Sequence, residues 1–251
     1  LFQSQQKEKK MIEKVNIRGI EILAVKNEKE FVHFLLNEKE IKTGKLVAIN
    51  AEKVIAAERQ PEVCALLQAA EYKYADGISI VFSIKKKYPQ FAELERIAGV
   101  DLWLTLMQQV GKLAIPVFLV GGKSETVIEV KNKLATWNVN VVGVQDGYFS
   151  ADQEQEIIER IKQSGAKFVT VAMGSPKQEG FMQKAQRQYP EALYMGVGGT
   201  YDVFTGRVKR APKSWRKLHL EWLYRLLSQP TRWRRQLNLV HYFYYYLTNK
   251  L

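Results

Sequence analysis

The stretch Phe168-Val169-Thr170-Val171-Ala172-Met173-Gly174-Ser175-Pro176-Lys177-Gln178 decides the fold class. Its apolar run is too short for an ordinary helix, passes through a glycine, and opens into the helical pattern Lys177–Gln188. A run of this kind reads as a strand buried on both faces. Ser175-Pro176 fits a cap followed by proline at the first helical position.

The same unit recurs outward from this point. Apolar runs at Leu46–Ile49, Val117–Val120, Val139–Val144 and Leu193–Val197 alternate with helical patterns at Val63–Tyr72, Val100–Lys112, Ser124–Trp137 and Asp152–Gln163, with Ser124 and Asp152 as candidate N-caps. A β-like opening, Val15–Val25, and an amphipathic helix, Asn27–Glu40, precede them. Strands alternating with helices predict an α/β fold, a Rossmann-like parallel sheet with helices on both faces. Ligands of such sheets bind beyond the carboxyl ends of the strands. Six segments are expected at that edge: Asn50-Ala51-Glu52, Ala75-Asp76-Gly77, Gly121-Gly122-Lys123, Gln145-Asp146-Gly147, Gly174–Gln178 and Gly198–Asp202.

The 251 residues are 46% apolar and 25% charged, which suits a packed globular chain and excludes wholesale disorder. Cys64 is the sole cysteine, so an internal disulfide and a cysteine-rich zinc site are excluded. His33, His219 and His241 have no metal-ligand spacing, and neither a metal nor a cofactor is expected. No stretch of about 18 apolar residues is present to span a bilayer. The polar start, residues 1–10, is expected to lie outside the fold as an added or disordered leader before Met11. The expected division is therefore 1–10 leader, 11–206 catalytic domain and 207–251 helical appendage.

Charge is concentrated in that last segment. Residues 207–251 carry eleven Lys/Arg against Glu221 alone, which accounts for +10 of the formal +12. They also carry Trp215, Trp222, Trp233 and the run Tyr242-Phe243-Tyr244-Tyr245-Tyr246. Trp215, Leu218, Trp222 and Leu226 fall on one helical stripe that Pro230 ends, and Thr231–Leu247 is a second helix. Trp215 and Trp222 are expected to pack on the body. Nucleic acid, an anionic membrane and a phosphorylated ligand all suit such a segment.

At the ligand edge, the glycines Gly121, Gly122, Gly174, Gly198 and Gly199 fit either structural turns or a backbone approach to phosphate. GxGxxG is incomplete because Tyr201 takes the third place, and the P-loop pattern is absent, which disfavours nicotinamide- and methyl-donor-dependent enzymes. Asp76 is a candidate general base, with Asp101, Asp146 and Asp202 as competitors. No Asp-x-Asp is present to hold a metal–diphosphate complex. Arg207, Arg210 and Arg225 are candidates to take the metal's place on a departing diphosphate.

Ala48-Ile49-Asn50-Ala51-Glu52, Tyr74-Ala75-Asp76-Gly77, Arg96-Ile97-Ala98-Gly99-Val100-Asp101, Phe118–Gly122, Gly174–Glu179 and Gly196–Asp202, followed by Arg210-Ala211-Pro212, occur in this order. In these motifs the chain resembles the WecG/TagA/CpsF glycosyltransferases, which build bacterial surface polymers on undecaprenyl lipids. The resemblance implies an inverting, metal-independent transferase at the inner face of the cytoplasmic membrane. It also implies Asp76 as base, Asn50, Arg96 and Gln178 as acceptor and donor contacts, and nucleotide contacts on the loop ending at Asp202. Val47–Lys53, Gln145–Phe149 and Glu221–Pro230 are most similar to members that transfer N-acetyl-D-mannosaminuronic acid in enterobacterial common antigen synthesis. The partners so implied are a UDP-sugar donor, an undecaprenyl diphosphate-linked GlcNAc acceptor and an anionic inner-membrane surface. Transfer of N-acetylmannosamine, as in teichoic-acid synthesis, is the alternative; a nucleic-acid-binding module is the rival from another class, though the tail has no recognised nucleic-acid motif. Lys123, Lys177 and Arg96 are candidates to recognise a donor carboxylate.

Overall fold

In the computed structural model, residues 12–37, 40–228 and 233–251 are described, apart from the side chains of Arg225 and residues 233–236. The expected leader 1–10, Met11, Pro230 and the side chain of Arg225 therefore lie outside the described residues.

The apolar runs assemble into one six-stranded parallel sheet. Its strands are β3 (Gly44–Ile49), β4 (Tyr72–Ala75), β5 (Val117–Gly121), β6 (Val141–Gln145), β7 (Phe168–Ala172) and β8 (Leu193–Gly196), in the order β4-β3-β8-β7-β5-β6. Val47, Ile49, Phe118, Val120, Val169, Val171 and Tyr194 point into one core. Their neighbours Leu46, Val117, Leu119, Phe168, Leu193 and Met195 point into a second core on the opposite face. That alternation is the period of two of a pleated strand, and burial on both sides explains the nearly unbroken apolar runs.

Helices cover both faces, as the sequence predicts. The first core receives α2 (Ala51–Arg59), α3 (Pro61–Gln68), α4 (Ile78–Lys87), α7 (Glu154–Gln163) and α8 (Lys177–Gln188). The second receives α1 (Glu28–Leu35), α5 (Gly99–Lys112), α6 (Ser124–Ala135) and the short α9 (Thr200–Phe204). The chain leaves β3 toward the first core and the neighbouring β8 toward the second. Their carboxyl ends consequently flank a crevice, the switch point at which open α/β sheets bind ligands.

The opening Val15–Val25 is a hairpin, β1 (Lys14–Ile17) and β2 (Ile20–Leu23), turned through Arg18 and Gly19 at φ 53° and 80°. Positive φ at both positions gives the turn that matches strand twist. The helix expected over Asn27–Glu40 ends at Leu35. Asn27 caps it through Oδ1 to the Glu30 N–H, and Leu36 is already extended and bridged to Ile41. The pattern Val63–Tyr72 also stops early, at Gln68, because Tyr72 pairs with Leu46 as the first residue of β4.

Three expected caps shift. Lys123, whose carbonyl accepts from Thr126 and Val127, precedes α6, so Ser124 is one residue late to cap it. Before α7 the turn is closed by the Ser150 N–H and hydroxyl donating to Gln153 Oε1, and Asp152 does not cap. Pro176 stands at the N-cap of α8, one position before the helix.

The basic segment forms α10 (Lys213–Lys217), α11 (Glu221–Ser228) and α12 (Trp233–Leu247). The single stripe expected from Trp215 to Leu226 is broken where His219 adopts φ 59°. Trp215 stands edge-on to Tyr224, but Trp222 is exposed, which corrects its expected packing on the body. The last helix packs on α2 and buries Tyr242 among α2 and α4. Cations of the body grip its C-terminal end: Lys86 donates to the Tyr246 carbonyl and Arg18 to that of Lys250. Positive charge at a helix C-terminus complements the helix dipole.

Candidate active site

A cleft of about 740 Å³ opens over the carboxyl ends of β3, β4 and β8. Asn50, Asp76, Arg96, Gly174, Gln178, Gly198, Gly199, Asp202, Arg207 and Arg210 all line it, so most residues singled out from sequence converge on one site. Gly121 and Gly122 do not line it. A Cβ on Gly121 would lie 2.4 Å from the Ala172 carbonyl oxygen, so packing between β5 and β7 is what excludes a side chain there. Lys123, Lys177, Asp101 and Asp146 also fall outside its lining.

Asp76 follows β4, with its own N–H and that of Gly77 both donating to the Ile49 carbonyl. Glycine fits next in sequence, since a Cβ at 77 would press on Asn50 at 3.0 Å. Asp76 Oδ1 accepts from the Gly99 N–H at 3.1 Å and from Arg96 Nη2 at 3.4 Å. Arg96 Nε also donates to the Asp76 carbonyl. Oδ2 has no hydrogen-bond partner among the described residues, and the side chain, which lines the cleft, is 25% exposed. One carboxylate oxygen is thus fixed and the other is free to accept a proton. Beneath it lies the buried Tyr74 hydroxyl, without a hydrogen bond among the described residues; burial first, and the Asp76 charge second, push that phenol far up.

Asn50 caps α2, accepting the Lys53 N–H at 2.9 Å on Oδ1 and leaving its amide NH2 to donate. Gln178 begins a buried relay. Its Oε1 accepts the Gly198 N–H at 3.0 Å, its Nε2 donates to Glu179 Oε1 at 3.1 Å, and Lys53 Nζ donates to the same oxygen at 2.8 Å. A Cβ on Gly196 would stand 2.6 Å from Gln178 Nε2, so a side chain there would displace the Gln178 amide. Burial works to raise the Glu179 carboxyl, but the Lys53 ammonium and the hydrogen bonds outweigh it and hold the group below the usual carboxylate range.

Gly174 and Gly198 hold φ of 76° and 52°, and a Cβ on either, or on Gly199, would meet nothing within 4 Å. These three glycines therefore border open space, where a ligand can approach the backbone closely. Asp202 lines the cleft from the first turn of α9, next to Tyr201, whose buried hydroxyl lies 2.6 Å from Thr170 Oγ1.

A family model, the glycosyl transferase WecG/TagA/CpsF family, matches residues 6–251. The chain belongs to this family. It is accordingly a glycosyltransferase for a sugar-transfer step in cell-surface polysaccharide synthesis, with a sugar donor and an acceptor as its two substrates.

Among the described residues, the candidate arginines of this glycosyltransferase, Arg96, Arg207 and Arg210, are already paired with carboxylates. Arg210 forks onto Asp101, Nη1–Oδ1 2.5 Å and Nη2–Oδ2 2.7 Å, which removes Asp101 from contention as a base and holds the guanidinium firmly protonated. Arg207 is half-exposed and pairs with Glu129 at 3.2 Å. Arg96 is the one of the three candidate carboxylate-recognising cations that faces the cleft. The sequence reading missed three lining or underlying groups: Lys53, Glu179 and Glu221. Glu52-Lys53 and Gln178-Glu179 stood inside the quoted motifs, so the signal was there, but their pairing across 126 positions is tertiary. Among the described residues no three His, Cys, Asp or Glu side chains gather to hold a metal ion, and no helix is long and apolar enough to cross a membrane.

Proposed function

We propose that this transferase moves N-acetyl-D-mannosaminuronic acid from UDP-ManNAcA to the 4-hydroxyl of GlcNAc in undecaprenyl diphosphate-GlcNAc, the lipid I to lipid II step of enterobacterial common antigen synthesis. The observation that carries the reading is the Asp76 carboxylate, with Oδ1 fixed by Gly99 and Arg96 and Oδ2 open to the cleft. Asp76 Oδ2 takes the proton of the acceptor hydroxyl as that oxygen bonds to the anomeric carbon. The bond from that carbon to the donor diphosphate breaks with its electron pair on the leaving UDP. Attack opposite the leaving group converts an α-linked donor into a β product. General-base help of this kind is worth about 10²- to 10⁴-fold.

The open backbone at Gly174, Gly198 and Gly199 seats the diphosphate, the Asn50 and Gln178 amides hold sugar hydroxyls, and Asp202 faces the nucleotide. Arg207 and Arg210 line the cleft and supply the positive charge that a metal ion supplies in other sugar-nucleotide enzymes, while Arg96 holds Asp76. Lipid presentation is supported by the exposed apolar stripe Leu237, Val240, Tyr244 and Leu247 on α12, beside a segment of strong positive charge. A basic, aromatic segment of this form suits an anionic leaflet, which supports action at the inner face of the cytoplasmic membrane.

The test is incubation with undecaprenyl-type diphosphate-GlcNAc and either UDP-ManNAcA or UDP-ManNAc, with the lipid product weighed by mass spectrometry. The expected product carries the uronic acid; a product formed only from UDP-ManNAc moves the assignment to the teichoic-acid type. Asp76→Asn is expected to keep UDP binding and lose about 10²-fold or more in turnover. Excess EDTA is expected to leave the rate unchanged, and a loss restored by Mg²⁺ or Mn²⁺ overturns the metal-independent reading.

A further inference from the structure

Glu221, the lone acid of the basic segment, is only 4% exposed. It enters the cleft from the first turn of α11. Its Oε2 accepts from Arg96 Nη1 at 3.2 Å, and its Oε1 lies 3.7 Å from Arg210 Nε. Arg96 reaches Asp76 with its other two nitrogens, and Arg210 is forked onto Asp101. Five charges therefore alternate in a chain, Asp76, Arg96, Glu221, Arg210 and Asp101, of which the first four line the cleft and Asp101 stands just outside it. Two of them come from residues 207–251 and three from the body.

A half-buried guanidinium held on one edge can rotate, whereas one held on opposite edges is fixed in plane and direction. Arg96 is held by Asp76 on one side and by Glu221 on the other. We propose that Glu221 is a positioning residue: by holding Arg96 from the side opposite Asp76, it makes docking of α11 a condition for a correctly aimed base. This rests on the reading of Asp76 as the base. Without the Glu221 charge, Arg96 has Asp76 as its remaining partner in the chain of charges. The guanidinium then turns onto the carboxylate and covers Oδ2, the oxygen that receives the proton. Nucleotide seating at Gly174, Gly198 and Gly199 does not pass through Glu221 and is left intact.

The experiment compares Glu221→Gln, which keeps shape and removes charge, with Glu221→Asp, which keeps charge on a shorter arm. Glu221→Gln is expected to lower kcat about 10- to 100-fold, the scale of a misplaced reacting group, with UDP affinity by calorimetry unchanged. Glu221→Asp is expected to recover part of that loss. In an Arg96→Gln background, Glu221→Gln is expected to add nothing, because its effect passes through Arg96. Additive losses, or a fall in UDP affinity matching the fall in kcat, overturn the proposal. Should Glu221→Gln fail to fold, the same cycle is run with Glu221→Asp.

A second readout is independent of turnover. Arg96→Gln is expected to speed amide hydrogen exchange in α11, and unchanged exchange overturns the coupling. If Asp76→Asn retains full turnover, the base reading fails, while faster exchange in Arg96→Gln still shows Arg96 and α11 joined through Glu221.

Discussion

The Tyr242 hydroxyl donates a 2.8 Å hydrogen bond to Ser83 Oγ, joining the last helix to α4 across 159 positions of sequence with both groups buried. Ser83 in turn donates to the Ser79 carbonyl, so the serine oxygen has one lone pair served by the tyrosine. Through Tyr242, α12 is thereby part of the body's first core.

From that contact, Tyr242→Phe should cost about 1 kcal/mol, the net worth of one buried hydrogen bond. Tyr242→Ala should cost about 3–5 kcal/mol through the cavity it leaves. Burial pushes the phenol up to about 12, so neither cost should change between pH 6 and 9. Urea unfolding measures both, and an unchanged midpoint for Tyr242→Ala would show that α12 is not docked there.

The Lys53–Glu179 pair predicts a pH-dependent loss. Glu179→Gln leaves the Lys53 ammonium buried without its counter-charge, which costs about 3–5 kcal/mol near neutral pH. The folded Glu179 carboxyl is held below its unfolded value of about 4.3, so its stabilisation is present above that value and disappears as pH falls through the folded one. The gap between wild type and variant should therefore close in acid. Equal destabilisation at pH 7 and pH 3 would rule the ion pair out as the cause.

Two glycines should separate folding from binding. Gly121→Ala, at φ 108° with its methyl 2.4 Å from a backbone oxygen, should destabilise by about 2–5 kcal/mol. Gly199→Ala has ordinary backbone geometry, φ −81°, and open space, so thermal unfolding should hardly move. Its methyl enters the cleft, and UDP affinity should fall about tenfold or more, a loss of about 1.4 kcal/mol. Normal UDP binding by Gly199→Ala would move the diphosphate seat elsewhere.

The membrane reading turns on α12. Serine at Leu237, Val240, Phe243 and Leu247 together should leave folding intact, since all four are exposed, yet lower binding to anionic vesicles by about 10²-fold or more. Unchanged vesicle binding would remove this face from the interface.

The sequence alone determined the layered sheet, because strands buried on both faces must be almost wholly apolar, as Val117–Gly121 is throughout and Phe168–Ala172 is apart from Thr170, whose hydroxyl pairs with Tyr201. It also marked Asp76, Asn50, Gln178 and Gly198 for one edge, since strand ends in a parallel sheet share an edge wherever they fall in the chain. Only the tertiary structure separated Gly121 from the cleft-facing glycines, because a close backbone approach to Ala172 and one to a ligand demand the same residue. It alone assigned the partners of the arginines. A guanidinium binds a carboxylate and a phosphate through the same fork, and which anion stands opposite Arg96 or Arg210 depends on residues as far as 125 positions away, such as Glu221.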